Sequence, residues 1–83
     1  MQNYYFHLRN GADVLLDPDG QMLADLTAAI AIALHEARAI IGADATQGKV
    51  ELNQRIDVED ERGAIVHCLQ FEDAVQVTRG ALD

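Results

Sequence analysis

Apolar and polar positions alternate with a period of two at the start of the chain. In YYFHLRNG, residues 4–11, Tyr4, Phe6 and Leu8 fall on one side of an extended strand, and Tyr5, His7 and Arg9 fall on the other. Asn10-Gly11 signals a hairpin, because a type I′ turn wants positive φ at both central residues. With these two at the centre, a second strand over residues 12–16 sets Arg9 against Ala12, His7 against Val14 and Phe6 against Leu15. A three-residue loop, Asn10 to Ala12, sets Leu8 against Val14 and Arg9 against Asp13 instead. Turn chemistry favours the first register and the hydrophobic pattern favours the second. Asp17-Pro18-Asp19-Gly20 then ends the strand with the residue order of a type I turn.

The period lengthens to that of a helix after Leu23. Asp25 is placed to cap a helix that starts near Leu26. At about 100° per residue, Leu23, Leu26, Ile30, Ala33, Leu34, Ala37 and Ile41 share one face, the expected core stripe. The opposite face carries Ala24, Ala28, Ala31, His35 and Ala39, with Ile32 to one side. Between Leu26 and Ile41 the only charges are Glu36 and Arg38. A helix apolar nearly all round is usually buried all round, although alanine also serves helix propensity alone. Gly42 or Gly48 can stop the helix; an end near Ala43 is expected, since a longer helix turns Asp44 toward the core.

A second hairpin is expected over residues 54–60 and 64–71. Glu61-Arg62-Gly63 fits a three-residue loop with Gly63 in the left-handed position. This register sets Val58 against Val66 and Ile56 against Cys68 on the core face. Asp57 then meets His67, and Glu59 meets Ile65, on the other face. Phe71 to Val77 fits either a strand or a helical turn, and Arg79 to Asp83 are expected to fray. The elements add up to ββαββ, an α+β fold with one main helix packed on an antiparallel sheet, in a single domain of residues 1–83.

Composition narrows the function classes. The net charge of −8 comes with six scattered basic residues, so no positive footprint for nucleic acid or an anionic membrane is expected. The acidity suits solubility and would suit a basic protein partner. The single cysteine, Cys68, excludes an internal disulfide. Met1 leads straight into an aromatic strand and no apolar run approaches ~18 residues, so no leader or span is expected and a reducing cytoplasm is the expected compartment.

No catalytic, cofactor-binding or metal-ligating residue is assigned. His67 and Cys68 are adjacent on a strand and point to opposite faces, and no paired-ligand spacing involves His7 or His35. An EF-hand loop placed on Gly20 puts Leu15 and Leu26 where carboxylates belong. The chain has no serine, and Cys68 is expected to face the core as a small hydrophobe. Asp57, Glu59, Asp60 and Glu61 read as a solvated hairpin end, and Asp57 with His67 as a surface pair.

What remains is a question of covered faces. Ala28, Ala31, Ile32, His35 and Ala39, together with Tyr5 and His7, are the candidate partner interface, and a homodimer is expected. His35 would sit at its seam, where acidification would charge it and loosen the pair. A pocket near Tyr5 and His7 that takes a small ligand, or supports an enzyme, is a further alternative.

YYFHLRNG, DPDG, LADLTAAIAIALHEA, RIDVEDERG and QFEDAV together resemble a family of short bacterial proteins known only as a domain of unknown function. The resemblance spans residues 4 to about 77, except Ala43 to Asn53. It implies a small cytoplasmic α+β protein and no assigned activity or site residue. A weaker resemblance is to antitoxins of the HicB kind, which also open with an aromatic strand, an acidic Gly turn and an Ala-rich helix. It implies a regulatory module bound to a basic protein, although a third strand before the helix is not read here.

Overall fold

The computed structural model describes residues 1–78. It contains β1 (Gln2–Asn10), β2 (Asp13–Leu15), β3 (Gln21–Leu23), α1 (Leu26–Thr46), β4 (Gln54–Asp60), β5 (Ile65–Gln70) and α2 (Phe71–Ala74). β1 organises the sheet, pairing antiparallel with β4 along one edge, from Tyr4 opposite Asp60 to Asn10 opposite Gln54. Two three-residue strands divide its other edge. β2 takes Leu8 to Asn10, and β3 takes Gln2 to Tyr4. β5 pairs antiparallel outside β4. The α+β architecture follows the patterning, with one main helix on an antiparallel sheet. The third strand, β3, is an addition; three residues are too few to show a period, and β1 is long enough to recruit them.

The first hairpin has neither expected register. Only glycines adopt positive φ among the described residues, so Asn10 stays in the strand and Gly11, at φ 62°, opens a Gly11-Ala12 loop. A positive φ at the first central residue alone is the type II′ pattern. Leu8 therefore meets Leu15, Arg9 meets Val14 and Asn10 meets Asp13. Asp17-Gly20 closes through a side chain: the Asp17 carboxylate accepts from the backbone N–H of Asp19 and Gly20, each at 3.2 Å.

Asp25 caps α1 as expected, its Oδ1 accepting from Ala28 N–H at 2.9 Å. The helix continues past Ala43 to Thr46, with Gly48 in the left-handed region beyond. Asp44 is half-buried rather than buried, which removes the objection to the longer helix. The face against the sheet centres on Ala29, Ala33 and Ala37, all fully buried. Leu34 and Ile41 flank them, while Leu26 and Ile30 of the expected stripe are exposed at its margin. Small residues four apart let the helix backbone come close to the sheet, and the larger apolar side chains splay to either side.

The second hairpin keeps its turn and loses its register. Gly63 is left-handed at φ 84° and Glu59 meets Ile65, as the loop requires. A bulge then skips Val66, so Val58 meets His67, Asp57 meets Cys68 and Ile56 meets Leu69. One inserted residue exchanges the faces of everything beyond it. Cys68 thus lies on the face away from the helix, exposed, and His67 rather than Cys68 turns toward the helix side. The exchange brings Leu69 to the core while Val66 still packs against it.

Phe71 to Ala74 resolves as a helical turn that buries Phe71 and Ala74. Arg38 of α1 ties it down, its Nε donating to the Ala74 carbonyl at 2.8 Å. The core is Tyr4, Ile56, Val58, Phe71 and four alanines, so Phe71 and Val58 are the large side chains buried most completely. The expected fraying of Arg79 to Asp83 concerns positions outside the described residues.

Candidate functional site

The two faces of β1 carry different chemistry. On the face away from α1, Tyr5, His7 and Arg9 lie opposite Glu59, Asp57 and Arg55, and Asp57 lies opposite Cys68. His7 is 7% exposed. Its Nδ1 accepts the Asp17 backbone N–H at 3.1 Å, and its Nε2 lies 2.7 Å from Glu59 Oε1. A ring nitrogen that accepts cannot carry the proton, so the neutral ring holds its hydrogen on Nε2 and donates it to Glu59. The Tyr5 ring lies nearly parallel to it, with centroids 6.4 Å apart.

Asp57 is buried between two guanidinium groups. Nε of Arg9 and Nε of Arg55 both donate to its carboxylate, the latter at 3.1 Å. Burial pushes the Asp57 carboxyl up, but hydrogen bonds from Cys68, Arg9 and Arg55 outweigh it and hold the group below the usual range. Although the residue as a whole is exposed, local loss of water around the sulfur, and then the carboxylate of Asp57, push the Cys68 thiol up. A raised thiol pKa keeps the sulfur protonated and a poor nucleophile. Asp17 shows the same balance as Asp57: burial raises its carboxyl, while the N–H groups of Gly20, Phe6 and Asp19 bring it below its ordinary value. These polar groups bond to one another and give a cross-linked polar face.

The other face is apolar and only partly covered. α1 lies over β4 and β5 and leaves the β1–β2 side open. There Phe6, Leu8, Leu15, Leu16, Pro18 and Ile40 enclose much of a groove of about 370 Å³, with Asp17, Gln21 and Glu36 on its rim. Leu15 is 68% exposed and Leu16 63% exposed. Glu36 and Ile40 enter from one flank of α1. At helical spacing the same flank continues through Ile32, Ala39 and Ala28 to His35 and Ala31. Of these, Ala31, His35 and Ala39 are exposed, while Ala28 and Ile32 are half-buried.

The expected interface residues therefore separate. Tyr5 and His7 lie on the polar face, and the five helix positions lie on the opposite side of the sheet. The cavity sits beneath Phe6 and Leu8, and neither Tyr5 nor His7 lines it. Sequence reasoning missed Leu15 and Leu16 as its wall. No group of three or more metal-ligating side chains assembles among the described residues.

Gly20 supports the polar face at its margin. It has φ 68°, and a Cβ there would meet the Tyr4 carbonyl oxygen at 2.8 Å and the Tyr5 ring at 3.0 Å. Gly20→Ala is expected to cost at least about 1 kcal/mol, by the left-handed backbone and the backbone clash together. Thermal unfolding would show this as a fall of roughly 4–8 °C or more; an unchanged midpoint would refute it.

Neither a curated protein nor a solved structure matches the chain. A family model does match, over residues 3–72, from the aromatic strand through Phe71 in the core and including the Asp17–Gly20 turn and the Asp57 cluster. The chain belongs to the family described as a domain of unknown function, DUF6894.

Proposed function

We propose that the chain is a small, non-catalytic, cytoplasmic interaction module that works as a homodimer. One observation carries this reading: Leu15 and Leu16, in the wall of the groove beside α1, are mostly exposed in the single chain. Exposed apolar patches of this kind mark sites of association. The occupant is a second copy. In a chain of net charge −8, two copies repel over most of their surface. The charges that line the groove are Asp17 and Glu36, so a self-complementary contact there meets less repulsion than over the carboxylate-rich remainder. A core with few large buried side chains adds a reason to associate.

Light scattering on the wild-type chain is expected to give twice the chain mass. Ala31→Glu is expected to reduce it to 9.1 kDa while leaving the circular dichroism unchanged, because Ala31 is exposed in the single chain. A wild-type mass of 9.1 kDa at every concentration, or a dimer that survives Ala31→Glu, overturns the reading. Against the expectation of no span, an 18-residue window of α1 has a mean hydropathy of 1.4, and the helix is long and apolar enough by length and composition to cross a membrane. Flotation of the wild-type chain with vesicles would therefore reassign the surface to lipid.

A second reading draws on β3. With that strand present, the difference noted from HicB-like antitoxins falls away, and an acidic regulatory module bound to a basic protein gains support. Its mark would be a basic protein that co-purifies with the chain and is released by salt.

A further inference from the structure

We propose that the segment Leu16–Gly20 is a proton-sensitive strap, fastened by the neutral ring of His7 and refolded when that ring takes up a proton. β2 and β3 occupy the two ends of the outer edge of β1 and leave its middle, Tyr5 to His7, without a strand partner. The strap fills that gap with two bonds. Phe6 N–H donates to Asp17 Oδ2 at 3.2 Å, and Asp17 N–H donates to His7 Nδ1 at 3.1 Å. The second bond exists only while Nδ1 is bare. With Glu59 accepting from Nε2, the ring has one nitrogen on each side of the switch.

The groups facing His7 set the balance. Tyr5 and Arg9 flank it on its own strand, Asp57 and Glu59 face it from β4, Asp17 faces it from the strap, and Cys68 lies beyond Asp57 on β5. Arg9 and Arg55 outnumber the Asp57 carboxylate by one charge, and Glu59 and Asp17, the residues bonded to Nε2 and Nδ1 respectively, add two negative charges. Uptake turns Nδ1 into a donor pointed at another donor, the Asp17 amide. The charged ring needs an acceptor, and the Asp17 carboxylate supplies one by leaving the N–H groups of Phe6, Asp19 and Gly20. The strap loses its fastening to β1 and its internal turn together. Leu16 and Pro18 belong to the wall of the apolar groove, so the groove changes shape with it. The switch stands on the geometry of one chain and does not depend on the homodimer.

Nuclear magnetic resonance on the full chain tests this between about pH 8 and 5, the range in which imidazoles change charge. The ring ¹⁵N shifts of His7 report its protonation, and amide exchange reports the strap. Protection factors of the Phe6, Asp17 and Gly20 amides are expected to fall by about tenfold or more in step with the ring, while Leu8 keeps its protection. In His7→Gln the step is expected to vanish. Should that variant not fold, Glu59→Gln is expected to shift the ring titration and the amide transition together. A ring that takes up no proton in this range, strap amides that stay protected as it titrates, or a transition that survives His7→Gln overturns the proposal.

Discussion

Phe71→Ala is expected to lower the unfolding free energy by about 3–5 kcal/mol. Phe71 is fully buried and is the largest such side chain. It joins α2 to the sheet and to α1, whose facing residues are alanines and cannot expand into a vacated space. A chain of this length has roughly 4–12 kcal/mol of stability in all. The variant should therefore sit close to its unfolding midpoint at room temperature. Urea titration followed by circular dichroism gives the difference directly. A loss below about 1 kcal/mol would mean that the space collapses and that the core is not centred here.

Asp57→Asn is the second large effect, expected at about 1–3 kcal/mol at neutral pH. Asparagine keeps the shape and removes the charge between Arg9 and Arg55. The two arginine side chains are 34% and 43% exposed, so water takes up part of the loss. The pH dependence follows from the direction of the shift. The folded Asp57 carboxyl lies below its unfolded value. Its contribution is present above the unfolded value, about pH 3.9, and is lost as pH falls through the folded one. Asp17 contributes with the same sign. Wild-type stability should therefore fall as pH drops below about 4, and Asp57→Asn should show a shallower fall there. Parallel curves for the two proteins would exclude Asp57 as a source of acid sensitivity.

Several features governed by local chemistry were legible in the sequence, the Asn10-Gly11 turn excepted, and features governed by packing were mostly not. Asp25 announced the start of α1 and Gly63 the second turn, because a cap and a left-handed glycine act within four residues. Tyr4, Phe6 and Leu8 shared a face because strand alternation leaves no other choice. The seam of α1 was read correctly at Ala33, Ala37, Leu34 and Ile41, but Leu26 and Ile30 were included and Ala29 was left out, because hydrophobicity favours leucine and isoleucine while a helix lying close on a sheet needs alanine beneath it. The faces of Cys68 and His67 were exchanged because the bulge at Val66 has no mark in local sequence; it exists to bring Leu69 inward. The groove escaped notice because it depends on where α1 stops covering the sheet, and that is set by the whole fold. His7 was singled out, but its partners Asp17 and Glu59 come from a loop and a distant strand.

The central place of β1 also governs how the chain is made. Its partner edge lies far along the polypeptide: His7 and Glu59 are 52 positions apart, and Arg9 and Asp57 are 48. β2, β3 and α1 are within reach early, but the main ladder waits for β4 to arrive. Closing so long a loop costs entropy before any pairing repays it, and ladders of distant strands are slow to assemble. During synthesis the aromatic segment at residues 4–6 is left with a bare edge until some sixty residues have emerged. The order of elements thus makes the nascent chain, more than the finished protein, the form that most needs protection from its neighbours.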